Sequence, residues 1–295
     1  MKIGIIGATG FIGRSMLRHL AQEGRPAAAF ARRPLDQATV SDSIAYHQIG
    51  SADWDLHLAT LDWAIFCTGS MLPSEQVSAE QLHSAAQETL LLEKCIQQVR
   101  TGVLYVSSGG AVYGNTQRVP VSESETCTPI SFYGKYKLAM ERQADELAKS
   151  THKRLVIARL SNPYGPLQTA LNGQGLIARL LQCYRSAAPF TLWGSGDAVR
   201  DYIHIDDFGR FVTTAIDQGA HGIFNVGSGE GRTVIQILEL FASLAPHLPI
   251  TIEKIAARQC DVSRIILDIS KSNTILGWKP QRELVDGLRL LILSS

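Results

Sequence analysis

The hydrophobic residues of the chain form short strand-like runs that alternate with helical patterns. Runs of apolar and β-branched residues predict strands at residues 2–6, 26–30, 62–67, 102–107 and 155–160. Helical spacing of apolar residues between these strands predicts three helices. The first begins after Gly13, and the other two cover residues 79–99 and 137–149. Strands that alternate with helices of this length predict an α/β fold with a parallel sheet covered on both faces.

Composition narrows the class of protein further. The 295 residues are 45% hydrophobic and 19% charged, which is enough apolar material for a large core. The net charge of +1 removes the electrostatic case for nucleic-acid binding, and no apolar run approaches the ~20 residues that span a bilayer. The five cysteines are odd in number and far apart, so neither a disulfide framework nor a zinc site is expected, and a reducing cytoplasm is the predicted location.

A glycine turn follows the first predicted strand. Residues 7–13 read Gly-Ala-Thr-Gly-Phe-Ile-Gly and lead into the first predicted helix. In such a turn, Gly7 permits the sharp exit from the strand, Gly10 lets the backbone approach a pyrophosphate, and Gly13 lets helix and strand pack closely. The phosphates would lie at the helix N-terminus, where free N–H groups and the helix dipole favour anions. Dinucleotide binding is therefore predicted, and we assign Thr9, Phe11 and Ile12 to the same cofactor site.

The chain is expected to divide into two lobes. Residues 1–162 form the predicted dinucleotide-binding domain, to which segments at about 201–228 and 264–280 return. The second half is more broken by glycine and proline. We assign residues 163–295 mainly to a smaller substrate-binding lobe. The predicted fold is thus a Rossmann-type doubly wound parallel sheet with a smaller C-terminal lobe.

A candidate acid–base pair lies at the start of a predicted helix. Tyr133 and Lys137 are four residues apart and project from one helix face. A lysine ammonium near a phenol favours the phenolate and brings the pKa of the tyrosine towards working pH. Such a tyrosine can take a proton from a sugar hydroxyl or return it. The spacing alone would also suit an ordinary surface pair.

The surrounding motifs resemble one enzyme family along most of the chain. The glycine spacing G-x-x-G-x-x-G resembles the short-chain dehydrogenase/reductase superfamily. Residues 106–114 read Val-Ser-Ser-Gly-Gly-Ala-Val-Tyr-Gly, and residues 159–166 read Arg-Leu-Ser-Asn-Pro-Tyr-Gly-Pro. With the segments at 133–141, 193–207 and 224–229, they resemble the extended members that act on nucleotide sugars, the NAD-dependent epimerase/dehydratase family.

The resemblance implies roles for individual residues. Tyr133 corresponds to the catalytic acid/base, and Lys137 to the residue that holds the nicotinamide ribose and lowers the pKa of the tyrosine. Asn162, Arg200 and Arg258 match positions that bind the nucleotide diphosphate, a role that suits the bidentate guanidinium. The family also implies a homodimer paired through the helices at 79–99 and 137–149. His204 is expected to be a buried strand histidine, and the histidines show no metal-ligand spacing.

The end of the second predicted strand bears on the choice of cofactor. Many NAD-binding members of the superfamily carry an acidic residue there, whereas this chain has Ala31 followed by Arg32 and Arg33. Two guanidiniums and no carboxylate favour the 2′-phosphate of NADP, with NAD as the alternative. A solvated turn would also explain the two arginines.

The chain departs from the family pattern at the other catalytic positions. The family has Ser or Thr four residues before the tyrosine of the Val-Tyr-Gly triplet, and here that position is Gly109. Ser108 is our candidate for the missing hydroxyl, with Ser107 as a possible substitute. Gly110 and Ala111 stand where 4,6-dehydratases carry an Asp-Glu pair, which disfavours dehydration. Ala85 stands where the family usually has asparagine.

Three functions fit these features. The first is a nucleotide-sugar 4-epimerase that works by reversible hydride transfer at C4 of the hexose. The second is an NADPH-dependent reductase of nucleotide-linked 4-ketosugars, which the Arg32–Arg33 turn favours. The third is a non-catalytic dinucleotide-binding protein, for which Gly109 is the main support. The retained acid–base pair and diphosphate-binding residues favour an enzyme, and we expect the epimerase.

Overall fold

Twelve strands and ten helices make up the described part of the chain. A computed structural model describes residues 1–34, 44–69, 71, 77–169, 175–246, 250–256 and 262–293. The strands are β1 (Ile3–Ile6), β2 (Ala27–Ala31), β3 (Ala45–Gln48), β4 (Trp63–Phe66), β5 (Gly102–Ser108), β6 (Arg154–Leu160), β7 (Asn162–Tyr164), β8 (Phe190–Trp193), β9 (Val199–His204), β10 (Gly222–Val226), β11 (Gly231–Thr233) and β12 (Ile252–Ile255). The helices are α1 (Phe11–Gln22), α2 (Trp54–Leu58), α3 (Ala79–Gln98), α4 (Gly109–Val112), α5 (Phe132–Ser150), α6 (Leu176–Ser186), α7 (Ile205–Asp217), α8 (Val234–Leu244), α9 (Ser270–Leu276) and α10 (Leu284–Leu293).

A seven-stranded parallel sheet forms the centre of the fold. Its strand order is β10-β6-β5-β4-β1-β2-β3, and every neighbouring pair is parallel. Alternate residues of β1 face opposite layers, because side chains alternate along a strand: Ile5 belongs to the core under α1 and α7, and Ile6 to the core under α3 and α5. The predicted doubly wound sheet, covered on both faces, is confirmed.

The strand order places a crevice beside β1. The chain continues from β1 to β2 and β3 on one side, and then crosses over to β4 on the other. Ligands of open α/β sheets bind at the carboxyl ends of the strands where the order reverses in this way. The glycine turn that follows β1 lies at this point.

The helix boundaries follow from local capping. Ser78 and Gln81 form a capping box at the start of α3, with hydrogen bonds of 3.2 Å and 2.9 Å between side chains and backbone N–H groups. Helix α5 begins at Phe132, five residues before the start expected from its apolar pattern, because the Ser131 side chain accepts a hydrogen bond from Gly134 N. The earlier start puts Tyr133 inside the first turn of α5.

A smaller lobe is formed by residues that follow β6 in sequence, and between its segments the chain returns to the central sheet as β10. Its core is formed by apolar residues of α6, α8 and α10, among them Leu180, Phe241 and Leu288. Strands β8 and β12 pair within the lobe, whereas β7, β9 and β11 form a three-stranded sheet. The predicted smaller C-terminal lobe is present, and the exact boundary at residue 162 stays a prediction.

A buried carboxylate ties the returning segments together. Asp201 in β9 is fully buried and accepts hydrogen bonds from Ser228 N and Oγ at 2.7 Å and 2.8 Å, and from Gly229 N and Leu267 N at 3.2 Å. Burial raises the pKa of this carboxyl, and the hydrogen bonds oppose that effect. The same side chain therefore fixes β9, the loop after β10 and the segment before α9.

His204 at the end of β9 is buried, as expected. Its Nδ1 accepts a hydrogen bond from Asp206 N at 3.2 Å and so caps α7, and its ring meets Tyr164 edge-on with centroids 5.2 Å apart. Burial lowers the pKa of His204 from its ordinary 6.5 to about 4. The imidazole of His204 therefore binds a proton less well in the folded protein than in the unfolded chain.

In the residues that the structure covers, no helix is both long and apolar enough to cross a bilayer.

We predict that the stability of the protein falls as the pH drops from about 7 to about 5, and that His204→Asn weakens this dependence. The unfolded chain takes up a proton on His204 near its ordinary pKa, whereas the folded protein does not, so acid favours unfolding. The expected contribution is about 2 kcal/mol between these pH values. Urea unfolding at both pH values measures it.

The matched control is His83→Asn. His83 is exposed on α3, and its replacement should leave the pH dependence of the unfolding free energy as it is in the wild type. An unchanged slope in His204→Asn would contradict the buried-histidine interpretation.

Candidate active site

The glycine turn between β1 and α1 has the geometry expected of a dinucleotide site. Gly7 has φ +97°, a conformation that side chains disfavour, and its N–H donates to Phe30 O at 2.9 Å. A Cβ at Gly13 would lie 2.3 Å from Gly7 O and 2.8 Å from Ala8 Cα. Gly7 and Gly13 therefore allow helix α1 to start directly against the end of β1.

The middle of the turn is open. Thr9 and Gly10 are exposed, and a Cβ at Gly10 would meet only Gly7 O, at 3.4 Å. No side chain caps α1, and its first turn carries no acidic residue. Phe11 and Ile12 are half-buried and pack against the core, which fixes the first turn. This cradle fits a pyrophosphate, because backbone N–H groups and the positive end of the helix dipole lie open to an anion.

The two arginines after β2 lie at the surface. Arg32 and Arg33 are both exposed, and Ala31 before them is buried at the strand end. Tyr46 from β3 donates to Ala31 O at 3.3 Å and so closes the neighbouring edge. Residues 31–34 contain no carboxylate, and residues 35–43 lie outside the described part of the chain.

Tyr133 and Lys137 lie on the face of α5 that meets β5. Tyr133 is half-buried, and its hydroxyl has no hydrogen-bond partner among the described residues. Lys137 is buried, and its Nζ lies 3.4 Å from Val106 O and 5.1 Å from the centre of the Tyr105 ring. The ammonium thus points to the end of β5 instead of to solvent.

The two serines at the end of β5 have different surroundings. Ser107 is buried and donates to Glu141, which also accepts hydrogen bonds from Arg159 Nη2 at 2.7 Å and from its Nε at 3.2 Å. Ser108 is half-buried, and none of the described residues hydrogen-bonds to its hydroxyl. Of the two serines, Ser108 therefore has the hydroxyl that a substrate could reach.

Gly109 leaves no room for the family's usual hydroxyl residue. A Cβ there would lie 2.6 Å from Leu267 Cδ1 and 2.9 Å from Arg159 O, so Leu267 fills the space that a side chain at 109 would need. A Cβ at Gly110 would instead lie 3.9 Å from both Ser108 Oγ and Asn162 Nδ2. The positions that face the crevice are therefore 108 and 110.

Two of the three residues predicted to bind the diphosphate lie on the three-stranded sheet. Asn162 begins β7, and its Nδ2 donates to Asp201 O at 2.9 Å, beside Ser108. Arg200 on β9 is half-buried and donates to Val199 O at 3.0 Å. Arg258 lies outside the described residues.

Two charged residues near this site were missed by the sequence analysis. Arg232 on β11 lies directly opposite Arg200 in the antiparallel pairing of β9 and β11. Glu88 on α3 lies 3.9 Å from Lys137 Nζ. A signal for Glu88 was present, because it occupies the apolar face of α3 between Ala85 and Leu92.

Known proteins resemble this chain over nearly its whole length. The chain is 26% identical to the dTDP-4-dehydro-6-deoxyglucose reductase of Escherichia coli, over 98% of this chain and 96% of that protein. The structure of the UDP-glucose 4-epimerase of Thermotoga maritima with UDP-glucose is similar, with a TM-score of 0.84 and 26% identity over 99% of this chain and 98% of that one. MoeE5 in complex with UDP-glucuronic acid and NAD gives a TM-score of 0.87 at 27% identity, with the same coverage.

A family model extends this similarity to the sequence motifs. The model described as the NAD dependent epimerase/dehydratase family matches residues 3–227, which include the glycine turn, the Tyr133–Lys137 pair and Arg200. By this match, and with the fold described above, the chain belongs to the NAD dependent epimerase/dehydratase family.

Proposed function

We propose that the protein is an NAD(P)-dependent nucleotide-sugar 4-epimerase. The observation that carries the proposal is that Tyr133 and Lys137 lie one turn apart on α5, with Lys137 Nζ 3.4 Å from Val106 O near the carboxyl end of β5. The glycine turn follows β1 at the same edge of the sheet. The UDP-glucose 4-epimerase of T. maritima, similar over nearly its full length, supports the same reaction class.

The roles follow from the chemistry of each group. When bound, the nicotinamide supplies reversible hydride transfer at C4 of the sugar. The turn from Gly7 to Gly13 would hold the pyrophosphate of the cofactor, and Lys137 its ribose hydroxyls. Tyr133 takes the proton of the C4 hydroxyl as the carbon is oxidised and returns it on reduction, since its own hydroxyl is otherwise uncommitted. Ser108 would hydrogen-bond the same sugar oxygen.

The substrate in this proposal is a nucleotide diphosphate sugar. Asn162, Arg200 and Arg258 would bind its diphosphate, and guanidiniums suit phosphate oxygens because they donate in a bidentate fork. The T. maritima enzyme and MoeE5 were solved with UDP-sugars, which supports this substrate class.

A 4-ketosugar reductase is the second candidate. It is supported by the similarity to the E. coli dTDP-4-dehydro-6-deoxyglucose reductase and by the exposed Arg32–Arg33 turn, which suits NADPH. The same Tyr133 would then donate its proton to the ketone oxygen. The epimerase needs no net cofactor consumption, whereas the reductase consumes NADPH in proportion to product.

Dehydration is not part of the proposal. Elimination of water needs an acid and a base beside the sugar, and the crevice-facing position 110 is glycine, followed by Ala111. Neither residue can carry a proton.

Two further expectations accompany the proposed function. We infer a homodimer that pairs through α3 and α5, because Leu82, Leu90 and Phe132 are exposed on these helices. We also expect the enzyme to act in a reducing cytoplasm, where the free cysteines among the described residues, Cys67, Cys95, Cys127 and Cys183, would persist as thiols.

The first prediction of this proposal concerns the epimerisation reaction. The wild-type protein, incubated with UDP-, GDP- and dTDP-hexoses with and without NADPH, should invert C4 of at least one sugar without net oxidation of NADPH. Tyr133→Phe should lower kcat by about 10²–10⁴-fold and leave cofactor binding intact, because only the transferable proton is removed. The stereochemistry of the sugar at C4 reports epimerisation, and the absorbance of the reduced nicotinamide reports oxidation of NADPH; both are measured in the same reactions.

The control is Tyr184→Phe, a half-buried tyrosine of α6 away from the crevice, which should keep wild-type turnover. Stoichiometric NADPH consumption by the wild type would replace the epimerase with the reductase. Cofactor binding without turnover of any sugar or ketosugar would favour the non-catalytic alternative.

The second prediction concerns the choice of cofactor. Replacing Arg32 and Arg33 together by alanine should weaken NADPH binding about tenfold or more, because two guanidiniums that can pair with the 2′-phosphate are lost. The affinity for NADH should change less than about twofold, since NADH lacks that phosphate. Fluorescence titration of both cofactors measures the ratio, and a wild-type preference for NADH would overturn the NADP assignment.

The third prediction concerns the dimer. Leu90, 65% exposed on α3, should lie in the subunit interface, so Leu90→Arg should give monomers in sedimentation velocity. Leu56→Arg, at a comparably exposed leucine of α2, should remain dimeric. A monomeric wild-type protein would contradict the proposed pairing.

A further inference from the structure

A buried carboxylate lies beside the lysine of the acid–base pair. Glu88 Oε1 on α3 is 3.9 Å from Lys137 Nζ on α5, and each side chain is 4% exposed. Removing a lysine ammonium from water is unfavourable unless an opposite charge accompanies it. Among the described residues, Glu88 is the only carboxylate within 4 Å of this ammonium. It therefore supplies the opposite charge next to Lys137 in the core.

The position of Glu88 is unusual for its helix. The buried face of α3 consists of Ala85, Glu88, Leu92, Cys95 and Ile96, so a carboxylate interrupts an otherwise apolar row. A charged side chain in such a row is costly unless it has a specific partner. The packing of α3 against α5 alone does not require a charge here.

Besides Glu88 on α3, the groups around Lys137 come from three elements. Strand β5 contributes the Tyr105 ring and the Val106 carbonyl, and Cys67 directly follows β4. Helix α5 itself carries Tyr133 and Tyr136. Burial raises the pKa of Cys67 to about 12, which keeps it a neutral thiol beside the ammonium. The other nearby carboxylate, Glu141, is engaged by Arg159 and Ser107. Glu88 is thus the carboxylate that pairs with Lys137.

The effect of Glu88 already extends to a neighbouring phenol. Burial raises the pKa of Tyr136, and the charge of Glu88 raises it further. The hydroxyl of Tyr136 lies 3.3 Å from Ala85 O, which links this phenol to the same turn of α3. Tyr133 lies three residues before Tyr136, on the same side of α5.

We propose that Glu88 is a positioning residue for the Tyr133–Lys137 pair: it holds the lysine from the α3 side and offsets part of its charge. The pair is thereby held at the end of β5, where Tyr133 would return the proton to the sugar oxygen. This inference rests on the proposed function of the pair.

The first test is the pH profile of Glu88→Gln, which removes the charge and keeps the shape. Loss of the negative charge beside Lys137 leaves the field of the ammonium unopposed, so the acid limb of kcat for epimerisation should move to lower pH by about 0.5–1 unit. Glu88→Asp retains the charge and should return the limb towards the wild-type position. Glu80→Gln, an exposed change on the same helix, should leave it unmoved. A limb that does not move in Glu88→Gln would overturn the proposal.

The second test needs no turnover. Cofactor dissociation constants are measured for the wild type, Glu88→Gln, Lys137→Met and the double variant. If Glu88 acts through Lys137, Glu88→Gln should change the constant about threefold or more when the lysine is present, and by less than about 1.5-fold in the Lys137→Met background, where the ammonium is gone. Equal changes in both backgrounds would overturn the proposal. A wild type that turns over no sugar would instead count against the proposed function, and this cycle would still decide the role of Glu88.

Discussion

The ion pair between Glu141 and Arg159 fixes helix α5 to the sheet, and the geometry of the candidate site depends on it. Both side chains are almost fully buried, and Arg159 binds the carboxylate through Nε and Nη2 while Ser107 donates from β5. A buried ion pair is favourable only when its hydrogen bonds are made. A shift of α5 along the sheet would break them, so the pair fixes the register of the helix against β5 and β6. Lys137 lies one turn before Glu141 and Tyr133 two turns before it, and that register sets their distance from the end of β5.

The sequence predicted the central sheet well, because buried parallel strands are continuous apolar runs. Strands β1, β2, β4, β5 and β6 lie within one or two residues of the predicted runs. Strand β3 was missed since it is an edge strand with half-buried and exposed residues, so it lacks an apolar run. The start of α5 was placed too late because the apolar pattern begins only after the first turn, which Ser131 caps.

The parts of the site that escaped prediction depend on contacts between distant segments. Ser107 donates a hydrogen bond to Glu141, whereas Ser108 does not. The difference follows from the direction of each side chain at the end of β5, which sequence spacing does not fix. The approach of Glu88 to Lys137 joins two helices, α3 and α5, that are separated by strand β5 in sequence. The glycine turn, in contrast, is local, and its geometry follows from the spacing of its glycines.

The filling of the space beside Gly109 by Leu267 has a consequence for how this site could change. A serine at 109 would collide with the Leu267 side chain and with the Arg159 carbonyl, so a single substitution could not add the hydroxyl that the family usually carries there. A smaller residue at 267 would have to accompany it, together with a slight displacement of the backbone. The two positions are thus mutually dependent, and in the proposed reaction the sugar oxygen would meet a hydroxyl from Ser108 or from Tyr133 alone.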